Sequence, residues 1–565
     1  MGQRCYEREA GRGKTMKLSE TKGLTLLPGA MICCILAGIC MLVSGCSSEV
    51  QHFTNVTREA GLADFTHENG ASGLMWMPEI LPPGLAFVDY NGDGHPDIAL
   101  VHGGTWDSLK AQPPAIRLYA NNGSGYFSEV TQDAGLEYVE TYGMGIASAD
   151  YDNDGDADLF LTSLGHDVLL RNNDGVYTVV QSGAEGPFAW STAAVFFDAD
   201  RDGWLDLYVG GYVRWSSETD LRCEGPGGEK MYCTPAAYDG QPHRFYHNNG
   251  DGTYSDWTEE AGFLSSPGKT LGAVLLDVNG DLWPDLAVAN DLEKDQLYIN
   301  QGDGTFVERG LMAGIAYDAR GIATAGMGID AGIMSGEWSI LVGNFSNQMI
   351  SVWQYAGEGV FRDQASASRI GGASRQTLAF GLFLFDADLD GDDDVFVANG
   401  HIHKHVEHGS SGIKFYQPPH LFLNTGDGVF ADEGDFEPLL GRGAAYADID
   451  QDGDLDILMG QNGAGVRLWR NNMQGRYLRV RLEGTISNRD GVGALVSVYT
   501  SSGLKQRHIR SGGSYLSESE RILTLGLGAS DIVDSLNVLW PSGQRSRLIG
   551  PLENTFIIVR EGTAD

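Results

Sequence analysis

Basic residues are scarce in this chain: 38 Lys and Arg stand against 76 Asp and Glu, a formal charge of −38. Residues 1–46 and 475–565 are each slightly basic, so the whole excess of acid falls in residues 47–474. Such a field repels nucleic acid and anionic headgroups, and it opposes a compact fold unless cations neutralise it. The apolar run 31–43 is too short to cross a bilayer, which needs about 20 residues. Cysteine is sparse too: of seven, only Cys223 and Cys233 lie beyond residue 46. Two thiols are too few for a structural zinc site, and their spacing is unlike a Cys-x-x-Cys redox motif. Gly-x-Ser-x-Gly, P-loop, Rossmann and His-Glu-x-x-His patterns are all missing, so no reaction is read from the sequence and a non-catalytic protein is expected.

What is present begins with an export signal. Lys14, Lys17 and Lys22 precede the apolar run, which ends in Val43-Ser44-Gly45-Cys46. This ending resembles the lipobox of bacterial lipoproteins, with residues 1–46 as signal peptide and Met16 as the more natural start. Cys46 is then the lipidated first residue of the mature chain, and Ser47 after it resembles the outer-membrane sorting choice. The expected location is exported, lipid-anchored at the outer membrane, the cell surface or the periplasmic face. An even pair of cysteines in an exported chain predicts a Cys223–Cys233 disulfide inside a Gly/Pro-rich insertion, residues 215–243.

With 78 Gly and only 18 Pro, the chain suits many short strands joined by tight turns. Its body repeats one phrase: an apolar strand, an acidic glycine turn, a second apolar strand. The turns read DYNGDGHPD from Asp89, DYDNDGDAD from Asp150, DADRDGWLD from Asp198, DVNGDLWPD from Asp277, DADLDGDDD from Asp386 and DIDQDGDLD from Asp448. An eroded copy begins at Asp330. Seven strand-built units at intervals of roughly 50 to 80 residues predict an all-β fold, a seven-bladed β-propeller. A second phrase, an aromatic followed by an acidic strand, recurs at Phe127, Tyr254, Phe306, Phe361 and Phe430. The last unit lacks it, and Phe53-Thr54-Asn55-Val56-Thr57 carries the orphan, so the N-terminal strand is expected to complete the last blade. The ring then covers residues 53–472 after a short linker, 47–52.

In Asp-x-Asp-x-Asp-Gly-x-x-Asp the side chains at positions 1, 3, 5 and 9 can converge on one hard cation, with a carbonyl near position 7. The expected ligands are Asp89, Asn91, Asp93, His95 and Asp97; Asp150, Asp152, Asp154, Asp156 and Asp158; Asp198, Asp200, Asp202, Trp204 and Asp206. They continue with Asp277, Asn279, Asp281, Trp283 and Asp285; Asp386, Asp388, Asp390, Asp392 and Asp394; Asp448, Asp450, Asp452, Asp454 and Asp456. All-oxygen ligation selects Ca²⁺, at five or six sites. An EF-hand is excluded because position 12 holds Leu100, Leu161, Val209, Val288, Val397 and Met459, none of which is the required Glu. The bland alternative is metal-free Asx turns. Leu282, standing where Gly is expected, puts the Asp277 loop's geometry in question, and the Asp330 loop is expected to hold nothing.

These loops resemble those of FG-GAP/VCBS propellers, including integrin α-subunit heads. The tail resembles the ASPIC/UnbV domain shared with cartilage acidic protein, through Ser487-Asn488-Arg489-Asp490-Gly491-Val492-Gly493-Ala494, Gly512-Gly513-Ser514-Tyr515-Leu516-Ser517, Leu525-Gly526-Leu527-Gly528 and Trp540-Pro541-Ser542-Gly543. The resemblance implies fold, calcium and an extracytoplasmic setting, and no reaction. Alternation in residues 476–560 predicts a small antiparallel sandwich. The Trp540 turn reads as a packed hairpin rather than a ligand contact. His401, His403, His405 and His408 form either a transition-metal patch or a solvated loop.

The expected function is calcium-dependent binding, adhesion or scaffolding, with a protein or glycan partner at the propeller loops and a membrane reached through the lipid. A calcium-assisted carbohydrate enzyme working in the propeller channel is the alternative, and it requires His, Tyr, Lys or Arg side chains converging there.

Overall fold

A computed structural model describes residues 52–562 apart from 107–111, 226, 409–411, 427 and 529–531. The expected signal peptide and lipobox, with Cys46, lie outside the described residues. No described helix is long and apolar enough to cross a membrane.

Seven four-stranded antiparallel blades form the body. Their first strands are Leu85–Val88, Tyr142–Ala149, Ala189–Phe197, Thr270–Leu276, Gly326–Met334, Ala379–Phe385 and Gly441–Ala447. They are buried almost throughout, as short runs of Leu, Val, Phe and Ala flanked on both sides require. In six blades the second strand starts at the ninth residue of the acidic loop, from Asp97, Asp158, Asp206, Asp285, Asp394 and Asp456. The loops therefore all lie at the same end of their blades. Strand Phe53–Asn55 pairs with Arg467–Asn471, Phe53 opposite Asn471, and supplies the fourth strand of blade 7. Blades 2 and 3 are also joined directly, Ala189 to Gly165 and Trp190 to Leu164.

The first strands of blades 2 to 7 each carry a register shift, for example between Gly143 and Ile146 and between Gly326 and Ile329. A bulge turns backbone groups out of the ladder, here toward whatever fills the axis.

Residues 476–560 fold as two sheets around Leu478, Val480, Val496, Val498, Leu525, Leu536 and Trp540. One detail departs from the sequence expectation. Arg476–Glu483 pairs in parallel with the last strand, Thr555–Arg560, while the other pairings are antiparallel. Strand alternation fixes which face is buried and is silent on direction, so nothing in the pattern marked it. The expected disulfide is present, with Cys223 and Cys233 linked and their Cα atoms 5.2 Å apart.

Candidate metal centres and the interdomain face

Each acidic loop is shaped by its own carboxylates. The ninth Asp accepts two backbone N–H groups. One comes from the second loop residue, at 2.9–3.2 Å. The other comes from the Asn near the end of the blade's third strand, at 2.7–2.9 Å. In five loops the first Asp accepts the N–H of position 6 at 2.8–3.0 Å. Position 6 is left-handed, φ 83° at Gly94 and 102° at Gly155. Leu282 takes the same conformation, φ 69°, so the Asp277 loop keeps its shape at the cost of a strained non-glycine residue.

The third-strand Asn does more than close its own loop. Its amide also donates to the position-2 carbonyl of the preceding blade: Asn121 to Ile449, Asn172 to Tyr90, Asn248 to Tyr151, Asn300 to Ala199 and Asn471 to Ala387, at 2.8–2.9 Å. Neighbouring loops are thus tied to one another around the ring.

Four loops bring three acidic residues together, with one oxygen from each within 4.8 Å of the others. These are Asp150, Asp152 and Asp158; Asp198, Asp200 and Asp202; Asp386, Asp388 and Asp394; and Asp448, Asp450 and Asp456. A fifth group, Asp200, Asp206 and His247, overlaps the second. His247 lies on the third strand of blade 3, stacked on Trp257 with ring centroids 4.0 Å apart, and its Nδ1 is 3.0 Å from Asp206. The sequence phrase gave no sign of this imidazole, because the contact spans 41 residues.

Among the described residues, buried carboxylate oxygens without a hydrogen-bond partner occur in the acidic loops of blades 1, 2, 6 and 7: Asp89 Oδ1, Asp152 Oδ1, Asp386 Oδ1, Asp450 Oδ1 and Asp454 Oδ1. Burial, with the crowding of other carboxylates added to it, pushes Asp150 up to about 7 and Asp158 to about 9. Burial above all raises Asp97, Asp285 and Asp386 to about 8. Orphaned buried oxygens in all-oxygen cages are what a hard cation would satisfy, so the donor set fits a metal ion. In blades 1 and 4 position 3 is Asn, and its amide donates to the position-5 carboxylate, Asn91 to Asp93 at 2.9 Å and Asn279 to Asp281 at 2.7 Å. Among the described residues no acidic trio forms in these two loops.

At position 7 of blades 1 and 4 the side chains turn to neighbouring blades. His95 accepts from Gln451 at 2.8 Å, and Trp283 lies under the Arg201 guanidinium at 3.7 Å. The His401–His408 loop brings no three groups together among the described residues; the rings of His401 and His403 are 6.0 Å apart. Trp540 is a packed core residue whose Nε1 donates to Ser546 at 3.0 Å.

The face carrying the acidic loops is occupied by the C-terminal sheets. Segment 509–520 lies along the axis of the ring and is hydrogen-bonded to the first strands of six blades. Phe87 donates to the Glu518 carbonyl, Ile146 to Leu516, Phe196 to the Ser511 hydroxyl, Ile329 to Ser514 and Tyr446 to the Ser519 hydroxyl; Gly513 donates to Ala273. Gly84, at the start of blade 1, leaves the room this requires, since a Cβ there would sit 1.9 Å from the Leu516 carbonyl oxygen.

Arginines converge on this end of the channel, each opposite a carboxylate: Arg479 with Asp448, Arg507 with Asp393 and Arg510 with Asp330, all at 2.8 Å, and Arg521 with Asp490 at 2.6 Å. Asp490 in turn accepts the Asp150 N–H at 3.1 Å, and Asp386 accepts the Gly526 N–H at 2.8 Å. The loops of blades 2, 6 and 7 therefore have the C-terminal domain as their outer neighbour. Sequence reasoning missed these groups because their partners lie far along the chain.

Against known proteins, an FG-GAP-like repeat matches residues 89–161, 150–209 and 277–330, and an ASPIC and UnbV domain matches residues 484–565. The acidic-loop blades are thus similar to FG-GAP repeats and the C-terminal sheets to an ASPIC/UnbV domain. Curated relatives include cartilage acidic protein 1 of Mus musculus, 28% identical over 51% of this chain and 44% of its own length, and that of Xenopus tropicalis, 29% identical over 50% and 42%. The chain spans less than half the length of these curated relatives. Among solved structures, an Agrocybe aegerita lectin recognising non-reducing terminal N-acetylglucosamine aligns with TM-score 0.39 and 16% identity, over 68% of this chain and 87% of its own. Saccharomyces cerevisiae Sqt1 aligns with 0.36 and 11%, over 69% and 95%. The propeller assignment rests on strand order and repeats rather than on these alignments.

Proposed function

We propose that this chain is a calcium-binding, non-catalytic binding or scaffold protein that works outside the cytoplasm. The observation that carries the reading is the set of acidic trios, repeated in four blades at the same loop, three of them holding a buried carboxylate oxygen with no hydrogen-bond partner among the described residues. Divalent ions would neutralise the cages and hold the loops in the shape on which the C-terminal domain rests. FG-GAP repeats and the cartilage-protein relatives support an extracellular setting, and the lipobox supports anchoring through Cys46. A protein or glycan partner would use the loops and blade edges that the C-terminal sheets leave uncovered.

The test is thermal unfolding of residues 47–565, metal-stripped and then titrated with Ca²⁺ or Mg²⁺, with bound metal counted by elemental analysis. A ligand that binds only the native state raises its stability in proportion to the logarithm of its concentration. Calcium is expected to raise the melting temperature at micromolar to millimolar concentration, with about four or more ions per chain. A melting curve identical in chelator and in calcium overturns the reading.

A further inference from the structure

Three parts of the chain play no role in the acidic loops: the apolar segment before blade 1, the disulfide insertion, and the histidine loop after blade 6. They meet around one cavity of about 150 Å³. Met77, Ile80 and Leu81 come from the first, Cys233, Thr234 and Pro235 from the second, and Ile402 and His403 from the third. Tyr212, Phe345 and Phe380 supply aromatic faces. The cavity belongs to none of the acidic loops, and its lining is apolar with few polar groups.

Those groups are incompletely used. Asp291 is buried, and its Oδ2 accepts the Tyr212 hydroxyl at 2.8 Å, while Oδ1 has no hydrogen-bond partner among the described residues. The nearby Lys269 ammonium is committed to Glu293 at 3.2 Å. Gln348 accepts the Ala325 N–H at 2.9 Å through its carbonyl, leaving its amide nitrogen without a partner among the described residues. A buried carboxylate without a paired cation is costly, and such groups are normally completed by an ion or a ligand. A cavity of this volume lined by apolar side chains accommodates a benzene-sized body.

We propose that this cavity binds a small organic ammonium, with the charged nitrogen on Asp291 and a phenyl-sized or branched aliphatic body against Tyr212, Phe345 and Phe380. The carboxylate with its free oxygen selects the cation, and the enclosing side chains limit its size.

The experiment is isothermal titration calorimetry on calcium-supplemented residues 47–565, with benzylamine and isopentylamine set against benzyl alcohol and benzoate. Benzylamine is expected to bind at one site, roughly tenfold tighter than benzyl alcohol, as loss of a charged hydrogen bond implies. Asp291→Asn should remove that tenfold difference and leave benzyl alcohol unchanged. Ala325→Leu, which fills the cavity, should abolish binding of both and keeps the test decisive if the first variant does not fold. Tighter binding of benzoate than of benzylamine, absence of heat with either amine, or full benzylamine affinity in Ala325→Leu overturns the proposal.

Discussion

The Arg510 guanidinium lies 2.8 Å from the carboxylate of Asp330, in the one blade whose loop has lost its acidic positions. Asp330 also accepts the Leu384 N–H of blade 6 at 2.7 Å. A side-chain cation from the C-terminal domain thus meets the first Asp of blade 5, the position that belongs to an acidic trio in blades 2, 3, 6 and 7.

Removing half of a buried ion pair strands the other half. Arg510→Met should therefore destabilise the protein by about 3–5 kcal/mol. Pairing it with Asp330→Leu should recover most of that loss. Urea unfolding of both variants checks this, and the loss should be equal in calcium and in chelator, since the pair requires no metal.

Gly84 faces the Leu516 carbonyl too closely for any side chain. Gly84→Ala should loosen the axial segment 509–520 while leaving the blades folded. Limited proteolysis should then cut that segment at least several times faster, and hydrogen exchange should rise at Ile146 and Ile329, whose N–H groups it accepts.

Leu282 holds a left-handed conformation that costs an L-residue about 1–2 kcal/mol. Leu282→Gly should relieve part of it, offset by the flexibility glycine adds to the unfolded chain. A net gain of about 0.5 kcal/mol in chelator is expected, and a loss would mean that the Leu side chain packs more favourably than its backbone is strained.

Asp295 is buried, accepts the Asn290 N–H at 2.9 Å, and is pushed by burial up to about 8. Its folded value lies above its unfolded one, so the folded state holds the proton more tightly. That contribution is complete below about pH 4 and is lost as pH rises through about 8. Asp295→Asn should flatten the fall in melting temperature between pH 5 and 9, with the variant gaining on the parent chain at the alkaline end.

Local chemistry made much of the fold legible in the sequence. Loop and strand alternate in the same nine-residue phrase, and the phrase missing after Asp456 reappears at Phe53, which the structure pairs with Asn471. What depends on distant partners was not legible. His247 reaches Asp206 only because the strand pairing sets Leu207 opposite Tyr246, and Arg479, Arg507 and Arg510 read as ordinary sandwich residues until the docked domain sets them opposite carboxylates of the blades. For the His401 loop the sequence left a transition-metal patch and a solvated loop open, and among the described residues no three of its groups come together.

The pairing of Phe53 with Asn471 also dictates an order of assembly. A latch whose two halves stand at opposite ends of the propeller's sequence closes one of the longest loops in the chain, and loop-closure entropy delays it relative to the hairpins within each blade. The axial segment comes later still in the chain, so it must either thread a finished wheel or be embraced as the wheel closes.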